Sequence, residues 1–262
     1  MSQTFTFAIL GDSAVSGVGD YDQAGRTRGW CHHLATAFQG VAEIIQVSRP
    51  GAKSDEVLEL QLPRALAFYP DLTAVVVGGN DALRNDFCPQ RLYDNLRAIV
   101  HELRSHGSEV MMLQLHDPTR IVPLPRLLQR VLKRRIDAVN SVYERIVQES
   151  EVLFLRTRNL PNVYDPSMWH FDRMHPSKRG HLTIAENFRQ MLSDHSWRFQ
   201  EIKFEEIADF SKREQTLWML RNATPWFLKR SFDLLPAALY LMSCEAISIF
   251  WHRVFSHRRK GQ

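Results

Sequence analysis

Ser13, Asp172 and His175 are the residues whose types and spacing can do chemistry together. An apolar run over residues 5–10 stops at Gly11, and Ser13 follows two residues later. A serine hydroxyl is a poor nucleophile until a base takes its proton, and histidine is the usual base near neutral pH. The imidazole in turn needs a carboxylate to hold its tautomer and to stabilise the imidazolium. Asp172-Arg173-Met174-His175 supplies both within one turn of chain, and Pro176 disfavours helix at His175, which lets the carboxylate bond back to the ring. An attacked carbonyl becomes an oxyanion and needs donors. The backbone N–H of Ser13, the N–H of Gly51 and the side-chain amide of Asn80 are the candidates. Taken alone, Gly11-Asp12-Ser13 is also ordinary turn chemistry.

These residues matter only if the fold gathers them. Apolar runs at 4–10, 42–47, 72–77, 109–115 and 151–155 read as five strands. Helical periodicity covers 30–38, 55–68, 90–105, 127–149 and 176–192. Ser54 is expected to cap the second helix and Pro176 to sit in the first turn of the last. Near-continuous Val, Ile and Leu runs alternating with helices predict a doubly wound, three-layer α/β/α sandwich with a parallel sheet. Ligands bind such sheets at the carboxyl ends of the strands. Ser13, Gly51 and Asn80 lie just beyond strands one, two and three, and Asp172 and His175 lie in the loop after strand five.

Gly11-Asp12-Ser13 with Gly17, then Gly51, then Gly78-Gly79-Asn80-Asp81, then Asp172-x-x-His175-Pro176 resemble, in this order, the four blocks of the SGNH, or GDSL-type, serine hydrolases. The resemblance covers most of residues 1–195. It implies a five-stranded, flavodoxin-like sheet and ester hydrolysis through an acyl-serine. It also implies Ser13 as nucleophile, His175 as base, Asp172 as its orienter, and Gly51 and Asn80 as oxyanion donors. Arg28-Gly29-Trp30 and Asp165-Pro166-x-Met168-Trp169 are similar to small bacterial esterases of that family. Ala14 departs from the common Leu, which affects packing beneath the serine. Val15 stands where a Gly-x-Ser-x-Gly elbow would carry its second glycine.

The rest of the sequence bounds the alternatives. Asp81 reads as structural, Asp12 as a cap for a following helix, and His181 as a non-catalytic helix residue. Tyr164, Trp169 and Phe171 either line an acyl pocket or pack their own loop. His32-His33 and His116-Asp117 lack a third ligand at suitable spacing, so a metal-independent site is expected. Gly17-x-Gly19 is no dinucleotide fingerprint, and no cofactor is implied. The three cysteines, Cys31, Cys88 and Cys244, form neither a disulfide framework nor a metal pattern. With no signal-peptide pattern at the N-terminus, the expectation is a cytoplasmic protein.

Segment 195–262 holds 11 Lys and Arg against 7 Asp and Glu, so it carries the entire net charge of +4. A neutral body does not suit nucleic-acid binding. Residues 1–195 therefore read as the hydrolase domain and 196–262 as a basic, Trp-rich helical extension. The apolar stretch 234–251 reads as a helix docked on the body or on a second subunit, or else as an interfacial helix on an anionic membrane. The substrate is expected to be a small or lipid-like ester. Carbohydrate O-deacetylase, thioesterase and lysophospholipase activities stay open, as does a catalytically silent binding protein on the same fold.

Overall fold

The structure is a computed structural model that describes residues 4–122, 124–195 and 197–204, together with Ser243 and Ile247. The readings of the basic extension, including its membrane or subunit contact, lie outside the described residues. Five parallel strands form one sheet: β1 (Thr4–Gly11), β2 (Val41–Gln46), β3 (Leu72–Val76), β4 (Glu109–Leu113) and β5 (Leu153–Leu155). Their order is β2-β1-β3-β4-β5, the flavodoxin-like arrangement. In register, Gly11 at the end of β1 stands opposite Val76 at the end of β3.

Alternation along the strands explains why the sheet is covered on both faces. Phe5, Phe7 and Ile9 of β1 and Leu72, Ala74 and Val76 of β3 point to one side. There they meet α1 (Gly29–Ala37) and α7 (Lys178–Ser193) through Trp30, Leu34, Ala185 and Phe188. Ala8, Leu10 and Val75 point to the other side. They meet α5 (Pro89–Ser105) and α6 (Arg126–Glu149) through Leu96, Ile99, Val139 and Tyr143. Trp30 stacks on Phe188 with ring centroids 4.8 Å apart, which joins α1 to α7. Gly17 and Gly29 touch back to back, and a Cβ on Gly29 would sit 2.3 Å from the Gly17 Cα. Both have positive φ, so glycine is required there and the loop after Ser13 is held against α1.

Three local expectations are corrected. The second helix is not uniform: α2 (Ser54–Glu56) passes through a π-turn, Val57–Gln61, into α3 (Leu62–Leu66). Ser54 is not the cap of α2 but its first residue. Its N–H and hydroxyl donate to the carboxylate of Asp81, in the short helix α4 (Gly79–Ala82), so a side chain 27 residues away does the capping. Pro176 precedes α7 rather than opening it. Ser177 is the N-cap, its Oγ accepting from the N–H of Gly180. No helix of the described residues is long and apolar enough to cross a membrane.

Candidate active site

The residues singled out in the sequence meet at the carboxyl edge of the sheet. Ser13 follows β1 in a turn that Asp12 closes. Asp12 Oδ1 accepts from the Ala14 N–H at 2.9 Å, and the Asp12 N–H donates to Val76 O at 3.0 Å. The expectation that Asp12 caps a helix is therefore corrected, because residues 13–19 form turns. Gly11 beneath the turn has φ +128°, and a Cβ there would lie 1.9 Å from the Val76 carbonyl oxygen. Only glycine lets β1 approach β3 this closely at the base of the serine turn.

The opposing loop is folded by its own hydrogen bonds. The His170 N–H donates to His175 O at 2.8 Å, and Trp169 pairs with Pro176. Arg173 takes a left-handed backbone, φ +57°, which turns the chain back on itself. Asp172 Oδ1 then accepts from the N–H groups of Met174 and His175, at 2.9 and 3.0 Å. Its Oδ2 lies 2.7 Å from His175 Nδ1, and His175 Nε2 lies 2.8 Å from Ser13 Oγ. A carboxylate only accepts, so Nδ1 carries a proton, and in the neutral ring Nε2 is left as acceptor for the serine O–H. Burial disfavours charge on Asp172. The adjacent imidazoles of His170 and His175 outweigh that and hold the carboxyl well below the usual range.

Asn80 in α4 joins the remaining pieces. Its Nδ2 is 3.1 Å from Asp12 Oδ2 and 3.2 Å from Ala52 O, beside Gly51. The Asn80 amide thus ties the loop of Gly51 and Ala52 to the serine turn. Asp12 is buried, and its carboxyl is pushed up to about 6 by desolvation.

The model of the GDSL-like lipase/acylhydrolase family matches residues 9–182. The chain belongs to that family. It is a hydrolase acting on ester bonds, with the family's α/β fold. The chain is 27% identical over 189 residues to thioesterase 1/protease 1/lysophospholipase L1 of Escherichia coli, covering 71% of this chain and 83% of that one. It is 24% identical over 190 residues to an arylesterase of Vibrio mimicus, covering 71% and 88%. The solved structure of a lipase/acylhydrolase from Enterococcus faecalis superposes with a TM-score of 0.58 at 16% identity, covering 75% of this chain and 99% of that one.

The aromatic candidates in this GDSL-type hydrolase all have partners in the loops. Trp169 is buried, donates from Nε1 to Val163 O at 2.6 Å and packs on the His116 ring. Tyr164 lies under the Arg120 guanidinium, and its hydroxyl accepts from the Asp117 N–H. Phe171 packs beside the His170 ring. No group of three or more His, Cys, Asp or Glu side chains among the described residues is placed to hold a metal ion.

Three neighbours of the site were not singled out for it by sequence reasoning. His170 Nδ1 is 3.4 Å from Asp172 Oδ2, beside the His175 contact. His116 is held neutral, its pKa lowered to about 3 chiefly by burial, with the Arg158 guanidinium adding to the shift. Gln61, in the π-turn, pairs its side-chain amide with both backbone groups of Gly11. Oε1 accepts from the Gly11 N–H at 2.7 Å and Nε2 donates to Gly11 O at 3.1 Å. Its sequence signal is a polar residue one helical turn after Val57, and both are buried on the same side of the helix. Histidines at 116 and 170 sit in loops, where periodicity is silent.

His181 is a core residue. Its Nδ1 accepts from the Trp30 N–H at 3.2 Å and its Nε2 donates to Val18 O at 3.0 Å. Protonation would put a second donor against the Trp30 N–H, and burial lowers the pKa from 6.5 to about 4. The unfolded chain therefore takes this proton first as pH falls. Stability from this group is complete above about pH 6.5, is lost towards pH 4 and is then constant, a loss of roughly 3 kcal/mol. Thermal melts from pH 7 to pH 4 should show a shallower acid slope in His181→Gln than in wild type. Equal slopes would remove His181 as a source of acid sensitivity.

Proposed function

We propose that this hydrolase cleaves a small or lipid-like carboxylic ester through an acyl intermediate on Ser13. The observation that carries the reading is the unbroken contact chain from Ser13 Oγ to His175 Nε2, at 2.8 Å, and from His175 Nδ1 to Asp172 Oδ2, at 2.7 Å. His175 Nε2 takes the hydroxyl proton as Ser13 Oγ bonds to the ester carbon. The tetrahedral intermediate collapses, and the alcohol leaves with the proton now on His175. Water then repeats the sequence, and the acid leaves Ser13 free. The N–H groups of Ser13 and Gly51 and the Asn80 amide receive the negative oxygen. The names of the relatives support ester and thioester substrates.

A fluorophosphonate probe should label the protein at Ser13, and p-nitrophenyl esters of increasing acyl length should be hydrolysed with an optimum that reports the acyl site. Absence of both labelling and hydrolysis in folded protein would favour the silent binding protein. Asn80→Ala should lower kcat by roughly 100-fold to 1000-fold with a much smaller change in KM, because the oxyanion exists only near the transition state. An effect confined to KM would make Asn80 a substrate-binding residue instead.

A further inference from the structure

Asn80 presents a conflict in its hydrogen bonding. A side-chain amide nitrogen has two hydrogens. In the resting protein Nδ2 has two acceptors, Asp12 Oδ2 at 3.1 Å and Ala52 O at 3.2 Å, which account for both. A group with no hydrogen to spare cannot stabilise an oxyanion. One of these two bonds must be given up during the reaction.

The two acceptors are not equivalent. Asp12 is buried, with 5% of its surface exposed. Its Oδ1 is held by the Ala14 N–H and its backbone N–H is bonded to Val76 O, so the carboxyl cannot turn to find another donor. Removing Asn80 would leave a buried carboxylate oxygen without this partner, which is the costly kind of loss. A bond to a carboxylate is also the stronger of the two. Ala52 O is a neutral carbonyl in the loop that carries Gly51.

We propose that Asp12 is a positioning residue that acts through Asn80: it holds one amide hydrogen throughout, while the other moves from Ala52 O to the oxyanion. The inference rests on the reading of Asn80 as an oxyanion donor. In this arrangement the carboxylate and the oxyanion occupy different hydrogens of one amide, which keeps the like charges apart. The resting hole is occupied by the protein's own carbonyl and is vacated only for an acceptor that carries charge. That is transition-state selectivity built from one exchangeable bond.

Two measurements test this. The first is a double-mutant cycle with Asp12→Asn and Asn80→Ala, read by kcat and KM on a p-nitrophenyl ester. The asparagine introduced by Asp12→Asn can keep the Ala14 N–H on its oxygen, but it then turns an NH2 group on the Asn80 NH2 group. Asp12→Asn alone should lower kcat by about 100-fold with KM little changed. In the Asn80→Ala background it should cost less than about 3-fold, since the group it acts through is gone. Multiplicative losses would overturn the proposal while leaving Asn80 in its role. No loss of kcat in Asn80→Ala would instead overturn the reading of Asn80 itself. If Asp12→Asn does not fold, Asp12→Ser keeps a hydroxyl for the Ala14 N–H, falls short of Asn80 and completes the same cycle. The second measurement is a crystal structure of the phosphonate adduct on Ser13. Nδ2 should remain within hydrogen-bond reach of Asp12 Oδ2, approach the phosphoryl oxygen and leave Ala52 O. Retention of the Ala52 contact with loss of the Asp12 contact would overturn the assignment.

Discussion

Ser13→Ala is expected to lower the turnover of a p-nitrophenyl ester by about 10⁵-fold to 10⁶-fold, the scale on which a nucleophile is lost from a serine–histidine site. Fluorophosphonate labelling should vanish with it. The protein should remain folded, because the Ser13 side chain bonds to His175 Nε2 and the turn is held by other groups. Asp12 Oδ1 on Ala14 N, Asp12 N on Val76 O and Gln61 on Gly11 all survive the substitution. A thermal midpoint within about 2 °C of wild type would be consistent with surface-like tolerance. A folded variant that keeps near wild-type turnover would show that the hydrolysis does not pass through Ser13. The deletion also separates two contributions. Whatever rate remains comes from binding and the oxyanion donors, so it should fall further in Ser13→Ala/Asn80→Ala only if those donors still engage an ester attacked by water.

Asp172→Asn is expected to lower turnover by about 10⁴-fold with the fold intact. The geometry says why an isosteric change has so large an effect. Asp172 Oδ1 accepts from two backbone N–H groups, those of Met174 and His175. An asparagine must put its oxygen there, which points its NH2 group at His175 Nδ1. A donor facing Nδ1 forces that nitrogen to be the acceptor, and the ring proton moves to Nε2, facing Ser13. The base is then protonated at the position where it must receive a proton. The backbone groups thus decide which way the amide is oriented, and through it which nitrogen of His175 is basic. Rates of phosphonate labelling should fall in parallel with kcat, since both need an activated hydroxyl. Turnover within a few-fold of wild type would remove Asp172 from the site.

Much of this was legible because it is local. The five strands could be read from apolar runs: β1, β3, β4 and β5 bury residues on both faces, while the edge strand β2 is only partly buried and is marked by Ala42, Ile44 and Ile45. The Asp172–His175 pair lies three residues apart with a proline after it, and its hydrogen bond is formed within a single loop. Helix positions followed from periodicity, with ends displaced by a residue or two. Ser13, Gly51 and Asn80 could be placed at one edge because in a parallel sheet every strand ends on the same side.

The contacts that decide what those residues can do are not local. The cap of α2 comes from Asp81 rather than from Ser54, whose own hydroxyl donates to that carboxylate. The π-turn that aims Gln61 at Gly11 inserts one residue into a helical register, and a pattern of period 3.6 is blind to it. Asn80 and Asp12 are 68 positions apart, and the bond between them exists because β1 and β3 are neighbours. Residue types and spacing determined which groups stand at the sheet edge and what reaction they are suited to. Tertiary structure alone decided which hydrogen bonds those groups already hold at rest, because the directional partner of a polar side chain depends on strand order, register and loop packing.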